Sequence, residues 1–430
     1  MDTVDDHLNL STPLHANSES LQELARRSQP ADGAPFFLVD LSVILERISM
    51  WEDHLPRVRP LYAMKANPNA VICKMLIDHG VGLECASKSE LEMCVNWGVD
   101  TQNVLFGAPV KPHSHLQYAK AHRISKCVAD SVSELHNISR VYPEVNVYMR
   151  IAVDDQDARC RFSSKFGLFR EEWPLFFQTA VKLGVNLCGV SFHVGSGGSG
   201  PLAFFDAIHL AREAFIGSSE YGFHFRAVDI GGGFPGDSDN VFTFSEIATA
   251  VNLALEEAFP PSEGVEVYAE PGRFYVSESH TYAVCVTGKK NMLSHHLAHA
   301  TAIESTGLET TVSYDIDKDP RVALYLNDGI YGCFNCTVFD HATLQVAGFI
   351  SSADERKTVP TKLFGPTCDS IDVVHRCLEI PELEVGDWIL WKNMGAYTTA
   401  AASRFNGFGD FKTFYILRTT PQTDQERLCT

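Results

Sequence analysis

The sequence predicts an α/β protein in which a (β/α)8 TIM-type barrel is followed by a C-terminal, mostly antiparallel β domain. The first observation is that about eight short apolar runs alternate with stretches of helical spacing, which is typical of parallel strands closed into a barrel. The second is a change after Gly272, where Tyr, Val and Thr alternate and helical patterns become rare. An open doubly wound sheet is the alternative to the barrel.

The predicted strands follow from these runs. Barrel strands are predicted at residues 60–65, 82–85, 103–106, 126–129, 145–151, 187–193, 225–230 and 265–269. Between them lie stretches such as Ser89 to Trp97, whose apolar residues recur at helical spacing. Strands of the β domain are predicted at 273–287, 322–330, 347–351, 388–391 and 413–417, and the run 36–39 is interpreted as one more.

The expected domain limits are set by the same patterns. We expect a flexible N-terminal tail at 1–34, a segment joining the β domain at 35–54, the barrel at 55–272 and the β domain at 273–430. Within the β domain, residues 288–319 are polar, His-rich and weakly patterned, which predicts a loop.

Composition excludes several classes of function. The chain has 35 Lys plus Arg against 54 Asp plus Glu, a formal net charge of −19, so nucleic acid and anionic membranes are disfavoured as partners. No apolar run reaches the roughly 20 residues of a membrane helix. The 12 cysteines form no CxxC pair and no zinc-type spacing, which predicts reduced thiols, no metal site and a cytoplasmic location.

Candidate working residues lie where predicted barrel strands end, because barrels carry their active sites at the C-terminal ends of the strands. Lys65 ends the first strand, where partial desolvation lowers the pKa of an amine and favours imine formation with an aldehyde. The alternative is a lysine that snorkels to solvent. His193 ends the sixth strand and could lie against a heteroaromatic ring, or could be a satisfied histidine at the barrel rim.

The last two strands end in residues suited to a phosphate and a pyridine ring. Residues 231–233 are three glycines, whose backbone N–H groups could approach a phosphate, although a tight turn needs the same residues. Glu270 could keep a pyridine nitrogen protonated, and Arg273 could pair with phosphate. A salt bridge between Glu270 and Arg273 is the alternative.

Two further candidates lie in the β domain. Cys368 stands next to Asp369 in a turn bounded by Gly and Pro, which is unusual for a structural cysteine. The thiol could pass a proton, and Asp369 could receive an ammonium group. Tyr397 brings a phenol that could reach a phosphate, although packing is the alternative.

Taken together, these segments resemble the eukaryotic ornithine decarboxylase family, whose fold is shared with alanine racemase. The resemblance runs from about residue 35 to residue 415. It is carried by the motifs at 62–65, 85–88, 161–167, 193–197, 229–236, 270–275, 327–329, 334–336, 340–341 and 368–369.

The resemblance implies decarboxylation of L-ornithine to putrescine in polyamine biosynthesis, with pyridoxal 5′-phosphate (PLP) as cofactor. It implies that Lys65 binds PLP covalently, that His193 stacks on its ring and that Glu270 binds its ring nitrogen. The residues implied to hold the phosphate are Ser196, Gly233, Arg273 and Tyr397, and Gly272 is a further implied cofactor-binding residue.

The resemblance also implies a homodimer whose active sites are shared across the interface. Cys368 and Asp369 would come from the partner subunit, and Asp340 and Asp369 would bind the distal ammonium of the substrate beside Phe339. Lys165 and Asp372 match a pair that bridges subunits in the family. An antizyme-type inhibitor is a candidate partner at residues 111–126, although a solvated helix face explains that stretch equally well.

Three departures leave the substrate open. Glu84 stands where the family usually has Asp, Phe339 where it often has Tyr, and Ser370 where Gly is common. A lysine or dual lysine/ornithine decarboxylase is the alternative within the class, because one methylene is worth only about 1–3 kcal/mol of discrimination. Arginine and diaminopimelate are further substrates of the class. An inactive, antizyme-binding homologue is the non-enzyme alternative.

Overall fold

The computed structural model describes residues 14–15, 19–156, 158–198, 200–236, 241–292, 320–351 and 356–418. Within them the strands are β1 Leu14–His15, β2 Phe36–Asp40, β3 Val58–Ala63, β4 Gly82–Cys85, β5 Val104–Phe106, β6 Lys126–Ala129, β7 Asn146–Arg150, β8 Leu187–Ser191, β9 Ala227–Asp229, β10 Glu266–Ala269, β11 His280–Asn291, β12 Val322–Leu326, β13 Gln345–Ile350, β14 Thr358–Phe364, β15 Val373–Pro381, β16 Trp388–Lys392 and β17 Lys412–Leu417.

The helices of the same residues are α1 Leu21–Arg27, α2 Leu41–His54, α3 Ala70–Asp78, α4 Lys88–Asn96, α5 His113–Ala121, α6 Val132–Val141, α7 Trp173–Leu183, α8 Pro201–Ser219, α9 Phe244–Ala258, α10 Arg273–Val276 and α11 Cys336–Phe339. The chain divides into two compact units, one of residues 43–277 and one of residues 1–42 and 278–430. None of the described helices is long and apolar enough to cross a membrane.

The unit at 43–277 is a closed barrel of eight parallel strands, β3 to β10, in which β10 pairs with β3. This confirms the predicted barrel. Its interior is a packed layer, as in other barrels of this type; the layer consists of Leu61, Leu105, Val128, Tyr148, Cys188, Ala227 and Tyr268. Several strands are shorter than predicted, because the chain leaves the sheet early: β3 ends at Ala63 and β8 at Ser191.

The segment predicted at 35–54 is divided between the two units. Strand β2 pairs with β11 and β17 in the β unit, whereas residues from Val43 onward belong to the barrel unit. The reason is Trp51, whose ring packs 4.9 Å from that of Phe234 and 5.4 Å from that of Phe274 in the barrel unit.

The other unit contains a mostly antiparallel sheet, as predicted. Its strands run in the order β1-β17-β2-β11-β12-β14-β15, and β16 pairs with β11 and β13. The pairs β1–β17, β2–β17 and β12–β14 are parallel. Phe36, Leu38, Trp388, Leu390 and Ile416 belong to its core.

The structure corrects four details of this half. The flexible tail predicted at 1–34 is wrong over part of its length, because Leu14–His15 pair with β17 and helix α1 buries Leu24 and Ala25 in the core of this unit. The predicted strand at 273–287 begins as the short helix α10, and β11 starts only at His280. The predicted loop at 288–319 is wrong at its start, because Gly288–Asn291 pair with β12; residues 293–319 lie outside the described residues. Strands β14 and β15 were not predicted.

Candidate active site

Lys65 stands at the C-terminal end of the first barrel strand. It lies on the one-turn 3₁₀ helix Met64–Ala66, between two buried neighbours, so its side chain is the one that leaves the core. Its Nζ lies 2.6 Å from Oε2 of Glu84, and the Lys65 side chain is 37% exposed whereas that of Glu84 is 3% exposed. The strand end therefore presents a primary amine, the group needed to condense with an aldehyde, from an ion pair with a buried carboxylate.

Glu84 fits beside Lys65 because residue 107 is glycine. A Cβ at Gly107 would lie 2.8 Å from both Cγ and Cδ of Glu84, closer than carbon atoms pack. Gly107 follows β5, the strand next to the one that carries Glu84. The longer carboxylate at position 84 is thus accommodated by a missing side chain on the neighbouring strand.

His193 follows β8 and is held as a neutral imidazole. Its Nδ1 accepts a hydrogen bond of 3.0 Å from the Gly195 N–H, and the Phe162 ring packs edge-on at 4.7 Å. Burial, helped by the charges of Arg150 and Lys65, lowers the pKa of His193 well below its usual value. Because Nδ1 accepts, Nε2 carries the proton, and the flat ring can stack on another ring without adding charge.

A buried pair of carboxyl groups lies at the C-terminal ends of the last two barrel strands. Asp229 is fully buried and Glu270 is 8% exposed, and their side chains are hydrogen-bonded to each other. Burial raises the pKa of both groups, and the charges of Asp229 and Glu84 raise that of Glu270 further. Two such groups share a proton when no cation lies between them. The pair therefore fits a protonated ring nitrogen, which would supply the balancing charge.

Two glycine loops form a cradle next to this pair. Gly231 and Gly233 have φ angles of 65° and 108°, in the left-handed region that favours glycine. A Cβ at Gly233 would lie 2.7 Å from the Gly195 carbonyl oxygen, and one at Gly231 would collide with the carbonyl of Phe192. The two backbones are therefore in contact, a spacing that lets N–H groups of a glycine turn approach a phosphate.

Arg273 supplies a cation at the same turn. It begins α10, and its Nη2 donates a hydrogen bond of 3.3 Å to Oγ of Ser196. Gly272 allows the close approach of the 3₁₀ helix that follows the first strand, because a Cβ there would lie 2.9 Å from Cβ of Ala66. A guanidinium, a hydroxyl and a glycine cradle fit a phosphate group. Of the two residues in the alternative salt bridge, Glu270 is hydrogen-bonded to Asp229 and Arg273 to Ser196.

The remaining predicted residues belong to the β unit. Cys368 is exposed, and its N–H donates to Oδ1 of Asn406 at 3.2 Å. Asp369 accepts a hydrogen bond of 2.5 Å from the Tyr331 hydroxyl, which lowers the pKa of Asp369. Asp340 is 5% exposed, whereas its neighbour Phe339 is 69% exposed.

Two more predictions concern this unit. Tyr397 follows β16 in the left-handed region, at φ 57°. Asp372, implied to pair with Lys165 of another subunit, is 1% exposed. Its carboxylate accepts hydrogen bonds from the Ile330 N–H at 2.9 Å and from the Thr367 hydroxyl at 2.6 Å. Asp372 therefore anchors the Cys368 loop within its own unit.

Sequence reasoning did not single out three residues that the structure brings to these groups. Asp229 is the last residue of β9, and a carboxylate at a strand end is a usable signal. Arg150 ends β7, and its charge acts on both His193 and Asp229. Tyr331 had no signal, because its bond to Asp369 joins segments 38 residues apart.

Comparisons with known proteins agree with this arrangement. The family described as "Pyridoxal-dependent decarboxylase, pyridoxal binding domain" matches residues 41–277. Ornithine decarboxylase of Rattus norvegicus is 38% identical over 397 residues, 92% of this chain and 83% of that protein. Antizyme inhibitor 2 of Xenopus laevis is 38% identical over 392 residues, 91% of this chain and 82% of that protein.

A solved structure shares both units. Lysine/ornithine decarboxylase of Vibrio vulnificus, complexed with putrescine, superimposes with a TM-score of 0.78 at 29% identity and covers 93% of this chain and 99% of that chain. The chain therefore belongs to the pyridoxal-dependent decarboxylases of the eukaryotic ornithine decarboxylase type, which are carboxy-lyases that use PLP.

Proposed function

We propose that this decarboxylase converts L-ornithine to putrescine and so serves polyamine biosynthesis. The observation that carries the choice of a basic substrate is the pair Asp340 and Asp369, because a distal ammonium needs an anionic acceptor. A substrate with a distal carboxylate, such as diaminopimelate, would need a cation there. The likeness to ornithine decarboxylases over most of the chain supports ornithine among the basic amino acids.

The barrel residues would divide the work as follows. When bound, PLP supplies an electron sink for the pair that remains on Cα as carbon dioxide leaves. Lys65 would hold the cofactor through its amine, beside the carboxylate of Glu84. Glu270, with Asp229 behind it, would keep a proton at the ring nitrogen. His193 would hold the ring in place, and the phosphate would lie against Ser196, Gly233, Gly272 and Arg273, with Tyr397 a further predicted contact.

Cys368 is the proposed donor of the proton that replaces the carboxylate at Cα. Its exposure leaves the thiol accessible to a substrate. The loop that bears it is anchored by Asp372, and Asp369 next to it is oriented by Tyr331. An accessible thiol on an anchored loop is suited to deliver a proton to one face of a carbanion.

We further propose that the enzyme is a homodimer in which the partner's Cys368 and the partner's Asp369 complete each active site. The support is an exposed apolar surface around these residues: Val338 is 46%, Phe339 69% and Ile371 62% exposed. Val338 and Ile371 line one open cavity together with Ser370. Apolar side chains this exposed and this close together mark a surface that another chain covers.

A dual lysine/ornithine decarboxylase is the second candidate. The structural likeness to the Vibrio vulnificus enzyme favours it, and lysine is only one methylene longer than ornithine. Such a difference is worth about 1–3 kcal/mol in a pocket, which a small change at Phe339 or Ser370 could offset.

An antizyme-type inhibitor remains a candidate partner, and the likeness to antizyme inhibitor 2 supports it. Not all of the basic residues in the expected docking stretch at 111–126 are accessible to a partner. Lys111 is buried, with its Nζ 3.0 Å from Oε1 of Glu134, so only exposed residues such as Lys120 and Arg123 are available. An antizyme-binding role without catalysis is the non-enzyme alternative, and we expect a cytoplasmic location in either case.

Release of carbon dioxide from ornithine, lysine and arginine, measured in parallel on the PLP-loaded protein, tests the proposal. We expect ornithine to be turned over at least tenfold faster than lysine, which corresponds to ~1.4 kcal/mol of discrimination. Lys65→Ala is the inactive control. Similar rates with lysine would favour the dual enzyme, and no release from any of the three would favour the antizyme-binding alternative.

A further inference from the structure

Arg159 and Cys160, in the loop after β7, lie along the turn that carries Ser196, and no role has been assigned to either of them. Cys160 and Ser196 exchange two backbone hydrogen bonds of 3.0 Å, and the Arg159 N–H donates to the Gly197 carbonyl at 2.7 Å. The segment therefore runs as a short antiparallel bridge along the turn that follows His193. Its position is set by the turn that carries Ser196.

Gly197 lets the Arg159 side chain lie on this turn. A Cβ at Gly197 would lie 2.7 Å from Nη2 and 2.9 Å from Cζ of Arg159, so the guanidinium occupies the space of the missing side chain. Gly197 itself has a φ of 71°. The turn is thus shaped to receive a guanidinium group against its backbone.

The loop is held firmly enough to define where Arg159 lies. Asp155, 4% exposed, accepts hydrogen bonds of 2.9 Å from the Ser163 N–H and 2.5 Å from the Ser163 hydroxyl. On the same loop, Phe162 packs against the His193 ring. The Asp155–Ser163 hydrogen bonds and the Phe162–His193 contact therefore hold the loop that bears Arg159 in place.

Two guanidinium groups consequently contact two consecutive residues of the phosphate turn. Arg273 binds Ser196, and Arg159 lies on Gly197. Like charges brought to one turn favour an anion beside them, and the phosphate of PLP carries up to two negative charges. We propose that Arg159 is a second phosphate-binding cation of the cofactor site. The inference rests on the PLP site and not on ornithine, so its failure would leave the substrate proposal untouched.

Binding of PLP and of pyridoxal, which lacks the phosphate, tests the proposal. Both are titrated into the cofactor-free protein and followed by absorbance and by tryptophan fluorescence. We expect Arg159→Gln to raise the Kd for PLP by about tenfold and to leave the Kd for pyridoxal within about twofold. Arg159→Lys, which keeps the charge, should recover most of the PLP affinity.

Arg161→Gln is the matched control. Arg161 is exposed on the same loop, and its Nη2 donates to the Gln156 carbonyl at 2.6 Å. It should change neither Kd. An unchanged Kd for PLP in Arg159→Gln would overturn the proposal, and so would an equal loss of PLP and pyridoxal, which would mean that Arg159 only supports the loop. The same loss in Arg161→Gln would overturn it too.

Discussion

The contact between Glu84 and Gly107 predicts that two substitutions, each harmful alone, compensate each other. Gly107→Ala places a methyl group where a Cβ would lie 2.8 Å from Cγ and Cδ of Glu84, against an ordinary contact of about 3.5–4 Å. Glu84→Asp removes one methylene from the same space. In the double variant the shorter carboxylate leaves room for the new methyl group, so the destabilisation should be less than the sum of the two.

The magnitudes follow from the geometry. Overpacking by Gly107→Ala should cost ~1–3 kcal/mol of unfolding free energy, because the buried Glu84 cannot swing into solvent. Glu84→Asp loses ~0.8 kcal/mol for one buried methylene and withdraws the carboxylate by ~1.5 Å from Lys65. With an effective dielectric constant of ~20, lengthening the 2.6 Å contact to ~4 Å costs ~2 kcal/mol. Because Lys65 is 37% exposed, solvent screening reduces this to ~1 kcal/mol.

Urea unfolding of the four cofactor-free proteins measures the coupling. We expect the double variant to be more stable than the sum of the single effects predicts by ~1–2 kcal/mol, since the steric cost is relieved while the loss of the Lys65 contact remains. Ala121→Gly, on the exposed end of α5, is a control that should add independently to Glu84→Asp. Additivity of the Glu84 and Gly107 substitutions within ~0.5 kcal/mol would refute the reasoning.

Three further predictions follow from buried or exposed groups. In the cofactor-free protein, Glu270→Gln should be more stable than the parent at pH 8, and this advantage should shrink as the pH falls toward 4.5. Burial raises the pKa of Glu270 in the folded state, so the parent has its full stability below the ordinary pKa of 4.5 and loses stability as the pH rises above it. A difference in unfolding free energy that does not vary with pH would contradict this. Lys111→Met should lower the free energy of unfolding in urea by ~3–5 kcal/mol, because it leaves the buried Glu134 carboxylate without its cation. The double variant Lys111→Met with Glu134→Leu should recover most of this loss, and no recovery would refute the role of the unpaired charge. Cys368→Ala should keep the PLP absorbance and the melting temperature but lose most putrescine formation, and an unchanged yield of putrescine would remove its assigned role.

Much of the barrel half could be predicted because each of its strands can be identified from a short segment of the sequence. A parallel barrel strand is a short apolar run, and its C-terminal residue faces the active side, so Lys65, His193 and Glu270 could be located without coordinates. Glycine runs at strand ends predicted the cradle for the same reason. The ends of the strands were less accurate, since leaving the sheet depends on neighbouring loops.

What could not be predicted depends on contacts between distant segments. The hydrogen-bonded carboxyl pair joins Asp229 and Glu270, which belong to different strand ends, and the apolar residues around either one do not identify its partner. Gly107 looks like an ordinary loop glycine until the side chain of Glu84 is seen to fill its space. Lys111 looked like part of a basic surface, but Glu134 comes from a helix 23 residues later and draws it into the interior.

The Glu84 substitution also separates two explanations of the substrate preference. Glu84 contacts Lys65, which is proposed to hold PLP whatever the substrate, whereas Phe339 and Ser370 flank the carboxylates proposed for the distal ammonium. The double variant Glu84→Asp with Gly107→Ala should therefore change the turnover of ornithine and of lysine by the same factor, so that the ratio of the two rates is unchanged. Phe339→Tyr and Ser370→Gly should instead change the ratio of the two rates. The opposite result would be a change of more than about threefold in that ratio in the double variant and none in the Phe339 and Ser370 variants. Substrate discrimination would then lie in the barrel beside Lys65, and Asp340 and Asp369 would no longer explain it.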